Sequence, residues 1–175
     1  MAATTTTETV TREGKIAVRN IVPSLSFKDQ AEEAVSFYVS LFKNSRIVSI
    51  DRWGADAPIP EGKVLNATFE LNGREYRAFD GGEHFTFTDA YSFVAVCETQ
   101  REVDEVWNKL ASRGGQEGPC GWVTDRFGVS WQVIPAALEE MMSNPKGGNT
   151  KAVMDALLKM GKLDIKTLEA AYKQR

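Results

Sequence analysis

Histidine occurs once in the 175 residues, at His84, so a reaction or metal cage that needs two imidazoles is excluded by count. The lone imidazole sits in FDGGEH, where Asp80, Glu83 and His84 lie close enough in sequence to hold one divalent ion in an unconventional loop site. A solvated polar turn, with glycines present for positive φ, accounts for the same residues without a metal. Cys97 and Cys120 are isolated and lack a C-x-x-C pattern, which suits small buried hydrophobes rather than a redox pair. Asp29 with Glu32, and Thr99 with Glu102, have the spacing of a helix cap and its reciprocal carboxylate rather than of a catalytic pair. No serine or threonine stands beside a base, so nucleophilic catalysis has no support.

The stretch DRFGVSWQVIP, residues 125–135, sets an amide among apolar neighbours. On a strand, Ser130, Gln132 and Ile134 share one face while Val129, Trp131 and Val133 take the other. Gln132 then either lines a ligand cavity with Ser130 or is a buried amide paired with nearby backbone. Trp53, Trp122 and Trp131, with Phe79, Phe85 and Phe87, could wall a pocket for a flat ligand, or simply fill the core.

The elements that must position these residues can be read from periodicity. Residues 17–27 predict an edge strand interrupted by Pro23. The box at Asp29 predicts a helix carrying Ala31, Ala34, Val35, Tyr38, Leu41 and Phe42 on its apolar stripe, ending near Lys43-Asn44. Strands follow at 46–53 and 64–71, and Asn72-Gly73 predicts a hairpin turn into REYRAFD. The order then restarts: a strand at 91–98, a helix capped by Thr99, and strands near 116–124 and 128–134 around the turn at Asp125 to Gly128. Beyond Pro135 the pattern is helical, with caps expected at Thr150 and Asp164 and a stop at Gly161.

These readings divide the chain into a disordered tail over 1–15, a paired domain over 16–134 and a helical extension over 135–175. A net charge of −3 with no run of Lys or Arg argues against nucleic acid and against an anionic membrane surface. No stretch has the apolar length of a signal peptide or spanning helix, so a cytoplasmic protein is expected.

Two strand-helix-strand-strand-strand units, with Phe37-Tyr38 in the first helix and Asp125-x-x-Gly128 before the last strand, resemble the vicinal oxygen chelate superfamily. That superfamily includes glyoxalase I, extradiol dioxygenases and bleomycin- and fosfomycin-resistance proteins. The runs FDGGEHFTFTDAYSFVAVCETQREVDEVWNKL, GWVTDRFGVSWQVIP and AVMDALLKMGKLDIKTLEAAY are similar to its PhnB-like branch, over about residues 17–174. Members of this branch often carry the label 3-demethylubiquinone 3-methyltransferase. No G-x-G-x-x-G turn is present to support a nucleotide-like methyl donor.

The resemblance implies an α+β fold in which two βαβββ modules curl into a cupped mixed sheet around a small organic molecule, with C-terminal helices and a homodimer. It also implies that catalytic relatives hold a divalent metal with four side chains from the first and last strands of the modules. The position where such a relative has a glutamate, seven after Asp125, is Gln132 here, and an amide offers a cation only a dipole. The expectation is therefore a small-molecule binder without a cofactor, whose ligand-contacting residues include Gln132, Ser130, Trp53, Trp122, Asp80 and His84. A metal-dependent lyase, isomerase or dioxygenase, and a drug-sequestering resistance protein, are the alternatives.

Overall fold

The computed structural model describes residues 16–174, and the tail expected over 1–15 lies outside the described residues. The first module runs β1 (Ser24–Phe27), α1 (Ala31–Leu41), β2 (Arg46–Arg52), β3 (Val64–Leu71) and β4 (Arg74–Asp80). The second repeats that order as β5 (Ser92–Cys97), α2 (Gln100–Ala111), β6 (Gln116–Glu117), β7 (Trp122–Thr124) and β8 (Ser130–Pro135). Three helices follow: α3 (Ala136–Ser143), α4 (Thr150–Leu157) and α5 (Ile165–Tyr172).

Each module folds into one four-stranded sheet, ordered β1-β4-β3-β2 and β5-β8-β7-β6. In both, the first strand pairs parallel with the last and the remaining pairs are antiparallel. This is the paired βαβββ architecture of the vicinal oxygen chelate fold. The hairpin between β3 and β4 has Asn72 at φ 48° and Gly73 at φ 77°, as a type I′ turn requires.

Several local expectations shift by a residue or more. The first strand starts at Ser24 rather than Ala17, because Pro23 has no N–H to enter a ladder, although its carbonyl accepts from the Arg77 N–H at 3.0 Å. The stretch 116–124 splits into β6 and β7 around a turn at Gly118 to Gly121. α4 is capped by Asn149, whose Oδ1 accepts from the Ala152 N–H at 3.0 Å, so Thr150 is its first helical residue.

The larger correction concerns α1. Its N-cap residue is Gln30, with no capping side chain of its own. Asp29 instead approaches Lys63 at 3.7 Å, and Glu32 pairs with Arg52 at 2.6 Å. The Ala31 N–H donates to Asp80 Oδ1 at 2.9 Å, so the first turn of α1 is held by a carboxylate from the end of β4. α2 does carry the expected capping box: Thr99 Oγ1 accepts from the Glu102 N–H, and the Glu102 carboxylate accepts from the Thr99 N–H.

The buried stripes of the helices, Ala31, Ala34, Val35 and Tyr38 on α1 and Val103, Trp107 and Leu110 on α2, belong to one core with Phe69, Trp131 and Val133. Tyr38 meets the Trp131 ring at 5.4 Å between centroids and Tyr76 meets Phe93 at 5.3 Å, so aromatic contacts join the two modules. Both helices thus cover the same side of the sheets, and the opposite sheet faces carry no helix from either module.

The C-terminal helices form a second core of Leu138, Met141, Val153, Leu163, Leu168 and Ala171. Gln100 fastens it to α2: its Nε2 donates to the Leu163 carbonyl at 3.0 Å and its Oε1 accepts from the Ile165 N–H at 2.8 Å. The turn before β7 adds backbone bonds, Cys120 N–H to the Met160 carbonyl and Gly121 N–H to the Gly161 carbonyl. No helix among the described residues is long and apolar enough to cross a membrane.

Candidate functional site

Strand register defines what each open sheet face displays. On the second sheet, Gln132 of β8 lies between Val94 of β5 and Trp122 of β7, and Ser130 lies between Ser92 and Thr124. On the first, Arg77 of β4 lies between Ser24 of β1 and Thr68 of β3. The opposite faces of the same strands, including Ala67, Phe69, Ala78, Trp131 and Val133, are buried in the core.

Gln132 is half-buried, and its Nε2 donates to Ser92 Oγ at 2.9 Å, a side-chain pair across the parallel strands. Its partner is thus a neighbouring hydroxyl rather than backbone. Ser130 is buried and donates from Oγ to Asp89 Oδ1 at 2.7 Å, tying β8 to the loop between β4 and β5. At the other end of the strand, Ile134 packs on the core of the C-terminal helices. The loop and the helices therefore bound the two ends of a face whose middle holds Gln132 and Trp122, with Ser92 level with Ser130 at the loop end. Beside them, Val94 and Val96 on the edge strand β5 are 54% and 48% exposed.

The remaining expected site residues are dispersed. Trp53 lies just past β2, on the first sheet, where its N–H donates to the Lys63 carbonyl. Asp80 is buried, with Oδ1 engaged by Ala31 N–H and Oδ2 by Val64 N–H, each at 2.9 Å, so its oxygens face backbone. Glu83 pairs with Lys28, and His84 is exposed in the loop. Asp80 points inward while Glu83 and His84 lie at the surface, so the three do not assemble a cage. Trp131 and Phe87 join the core, Phe87 against Phe27 at 5.2 Å, and leave any ligand face. Phe85 covers Phe79 on the first sheet at 5.7 Å, an approach that Gly81 allows, since a Cβ there would meet the Phe85 ring.

A divalent metal does not fit the residues that stand where relatives of this fold would hold it. Gln132 is three residues before Pro135, which pairs with Cys97, and Arg77 is three before Asp80, which pairs with Phe27, so the two positions correspond. The four side chains at that level of the first and last strands are Ser24, Arg77, Val94 and Gln132. They offer no carboxylate or imidazole, and one is a cation. Among the described residues, no three His, Cys, Asp or Glu side chains are grouped to hold an ion, and every buried side-chain polar atom has a partner within the chain.

Two groups that periodicity did not single out emerge from the packing. Asp125 is 3% exposed and accepts from Tyr38 Oη at 2.8 Å, Trp131 Nε1 at 2.9 Å, and the N–H groups of Phe127 and Val129. Burial still pushes its carboxyl above the usual aspartate value, and burial likewise drives the Tyr38 hydroxyl well up. This cluster joins α1 of the first module to β8 of the second and fixes the core face of the strand that presents Gln132. Arg77 is the other; its alternation with Glu75 in REYRAFD marks a polar face, but only register sets it level with Gln132. The Cys97 thiol is pushed up to about 11 by burial, which makes it an inert core side chain.

A family model described as 3-demethylubiquinone-9 3-methyltransferase matches residues 19–134. The match ends where the C-terminal helices begin, so it is shorter than the resemblance over 17–174. Among solved structures, a PhnB protein from Bacillus cereus described as a 3-demethylubiquinone-9 3-methyltransferase is 42% identical, with a TM-score of 0.62, over 67% of this chain and 100% of its own. A protein from Pseudomonas aeruginosa is 25% identical, with a TM-score of 0.56, over 66% of this chain and 96% of its own. No curated protein matches the chain.

Proposed function

The chain belongs to the PhnB-like family described as 3-demethylubiquinone-9 3-methyltransferase, within the vicinal oxygen chelate superfamily, and on that premise we propose that it binds a small organic molecule on its open sheet faces without a metal. The observation that carries this reading is the second sheet face. Gln132, whose amide donates to Ser92, lies level with Trp122 and between bounding elements, and no helix of either module covers it. An aromatic wall with a few fixed polar groups is the usual build of a small-molecule site.

A second copy of the chain completes the site. Val94 and Val96 lie exposed on an edge strand beside Gln132, and apolar surface placed so is covered by association more economically than by solvent. Methyl transfer gains no support from the fold, because both sheets are mixed and no glycine-rich turn links a parallel strand to a helix.

A fluorescence-quenching screen against aromatic and polar small molecules tests the reading, with Trp122→Phe and Gln132→Ala as variants. Saturable quenching that weakens about tenfold in Gln132→Ala is expected, the loss of one or two well-placed hydrogen bonds. Sedimentation of the native chain reads the dimer. Stoichiometric metal retained through purification without chelator would sink the metal-free reading.

A further inference from the structure

The polar face of the first sheet holds a hollow of about 490 Å³ lined by Arg19, Asn20, Glu75 and Arg77. Arg77 rises from β4 at the position matching Gln132 on β8, and register places the hydroxyl residues Ser24 and Thr68 on either side of it. The Arg77 N–H donates to the Pro23 carbonyl at 3.0 Å, which ties the chain before β1 to this face, and Arg19 and Asn20 stand in the lining.

The lining carries two guanidiniums against one carboxylate, a surplus of one positive charge in a chain whose formal charge is −3. The contact between Arg77 Nη2 and Glu75 Oε1 is long, 3.4 Å, with both side chains about half-exposed, so among the described residues most of the Arg77 donor fork remains open. Elsewhere on this sheet the pattern differs: Arg46 is closed by a bidentate pair with Glu70 at 2.8 and 2.9 Å. A planar guanidinium with free donors, flanked by hydroxyls and an amide, matches the geometry of a carboxylate or phosphate group.

We propose that Arg77, with Arg19, Asn20, Ser24 and Thr68, forms a binding site for a small oxyanion, a carboxylate or phosphate. A guanidinium thus stands where the equivalent strand of the other module presents an amide. The site rests on the ligand reading above and gives the bound molecule an anionic end.

Titration of the full-length protein with inorganic phosphate and, separately, with succinate, followed by amide chemical shifts, tests the site. The two arms distinguish the sources of the anion. Saturable shifts centred on residues 19–24 and 75–78 are expected with at least one probe. Arg77→Gln should weaken binding about tenfold, the scale of a lost charged hydrogen-bond pair, and Arg19→Gln less. Arg101→Gln, on the exposed surface of α2, should leave it unchanged. No saturable shift with either probe, or equal weakening by Arg101→Gln and Arg77→Gln, overturns the site. The readout is independent of Trp122 emission. Oxyanion binding without quenching would therefore keep this site while removing the aromatic ligand reading, and quenching without oxyanion binding would do the reverse.

Discussion

The two modules share strand order and pairing but start their helices differently. In the second, α2 begins with a self-contained box, Thr99 and Glu102, built from residues three apart. In the first, α1 has no such cap and its opening N–H is held by Asp80, forty-nine residues downstream. The residue at the matching end of the second sheet is Pro135, which has no carboxylate to offer and leads directly into α3. Equivalent topology therefore does not fix how a helix end is satisfied. It fixes only that the end must be satisfied, and the nearest suitable group meets the need.

The sharpest break in that comparison is Asp125→Ala, which strips one acceptor from four donors at the joint between the modules. Loss of about 3 kcal/mol or more is expected in urea unfolding, because buried Tyr38 and Trp131 donors are left unpaired. Asp80→Ala leaves Ala31 and Val64 N–H groups without partners and should cost about 2 kcal/mol, measured the same way. Thr99→Ala removes half of the box on α2 and should cost about 1 kcal/mol, while Asp29→Ala, which caps nothing, should stay within about 0.5 kcal/mol. Equal effects of Thr99→Ala and Asp29→Ala would erase the contrast between the helices.

The smallest effect expected is in pH dependence, and it differs in sign between the two carboxylates. Burial raises the Asp125 carboxyl, so the folded chain holds that proton more tightly than the unfolded one. Its contribution to stability then falls as pH rises from the ordinary value of 3.8 through the raised one. Glu102 is lowered by the Thr99 and Glu98 N–H groups, so its contribution is present above the ordinary carboxylate value and is lost as pH falls through the lowered one. Stability followed by urea midpoint from pH 3 to pH 7 should become steeper upward for Asp125→Asn and flatter for Glu102→Gln, relative to the unchanged chain, on the linkage rule. Identical profiles for all three would contradict both directions.

Much of this fold was legible in the sequence, and the reasons are local. The α2 box, the Asn72-Gly73 turn and the apolar stripes on both helices depend on residues a few positions apart, where spacing alone carries the physics. The first box looked the same at Asp29 and Glu32, yet Arg52 and Lys63 draw those carboxylates outward and Asp80 takes the cap. The aromatic residues divided for a similar reason. Trp131 and Phe87 are core while Trp122 borders Gln132, and alternation gave the face of Gln132 without saying which tryptophan would share it.

The sequence by itself determined the order of elements and the doubling of the module, because both follow from residue type and short-range period, while the resemblance implied that Gln132 stands in place of a carboxylate. Tertiary structure alone decided that Asp80 turns inward to cap a helix and that Asp125 joins the modules. It likewise set Arg77 level with Gln132 on the matching sheet. Those three outcomes depend on partners far away in sequence and on strand register, which a linear pattern does not specify until the chain is folded.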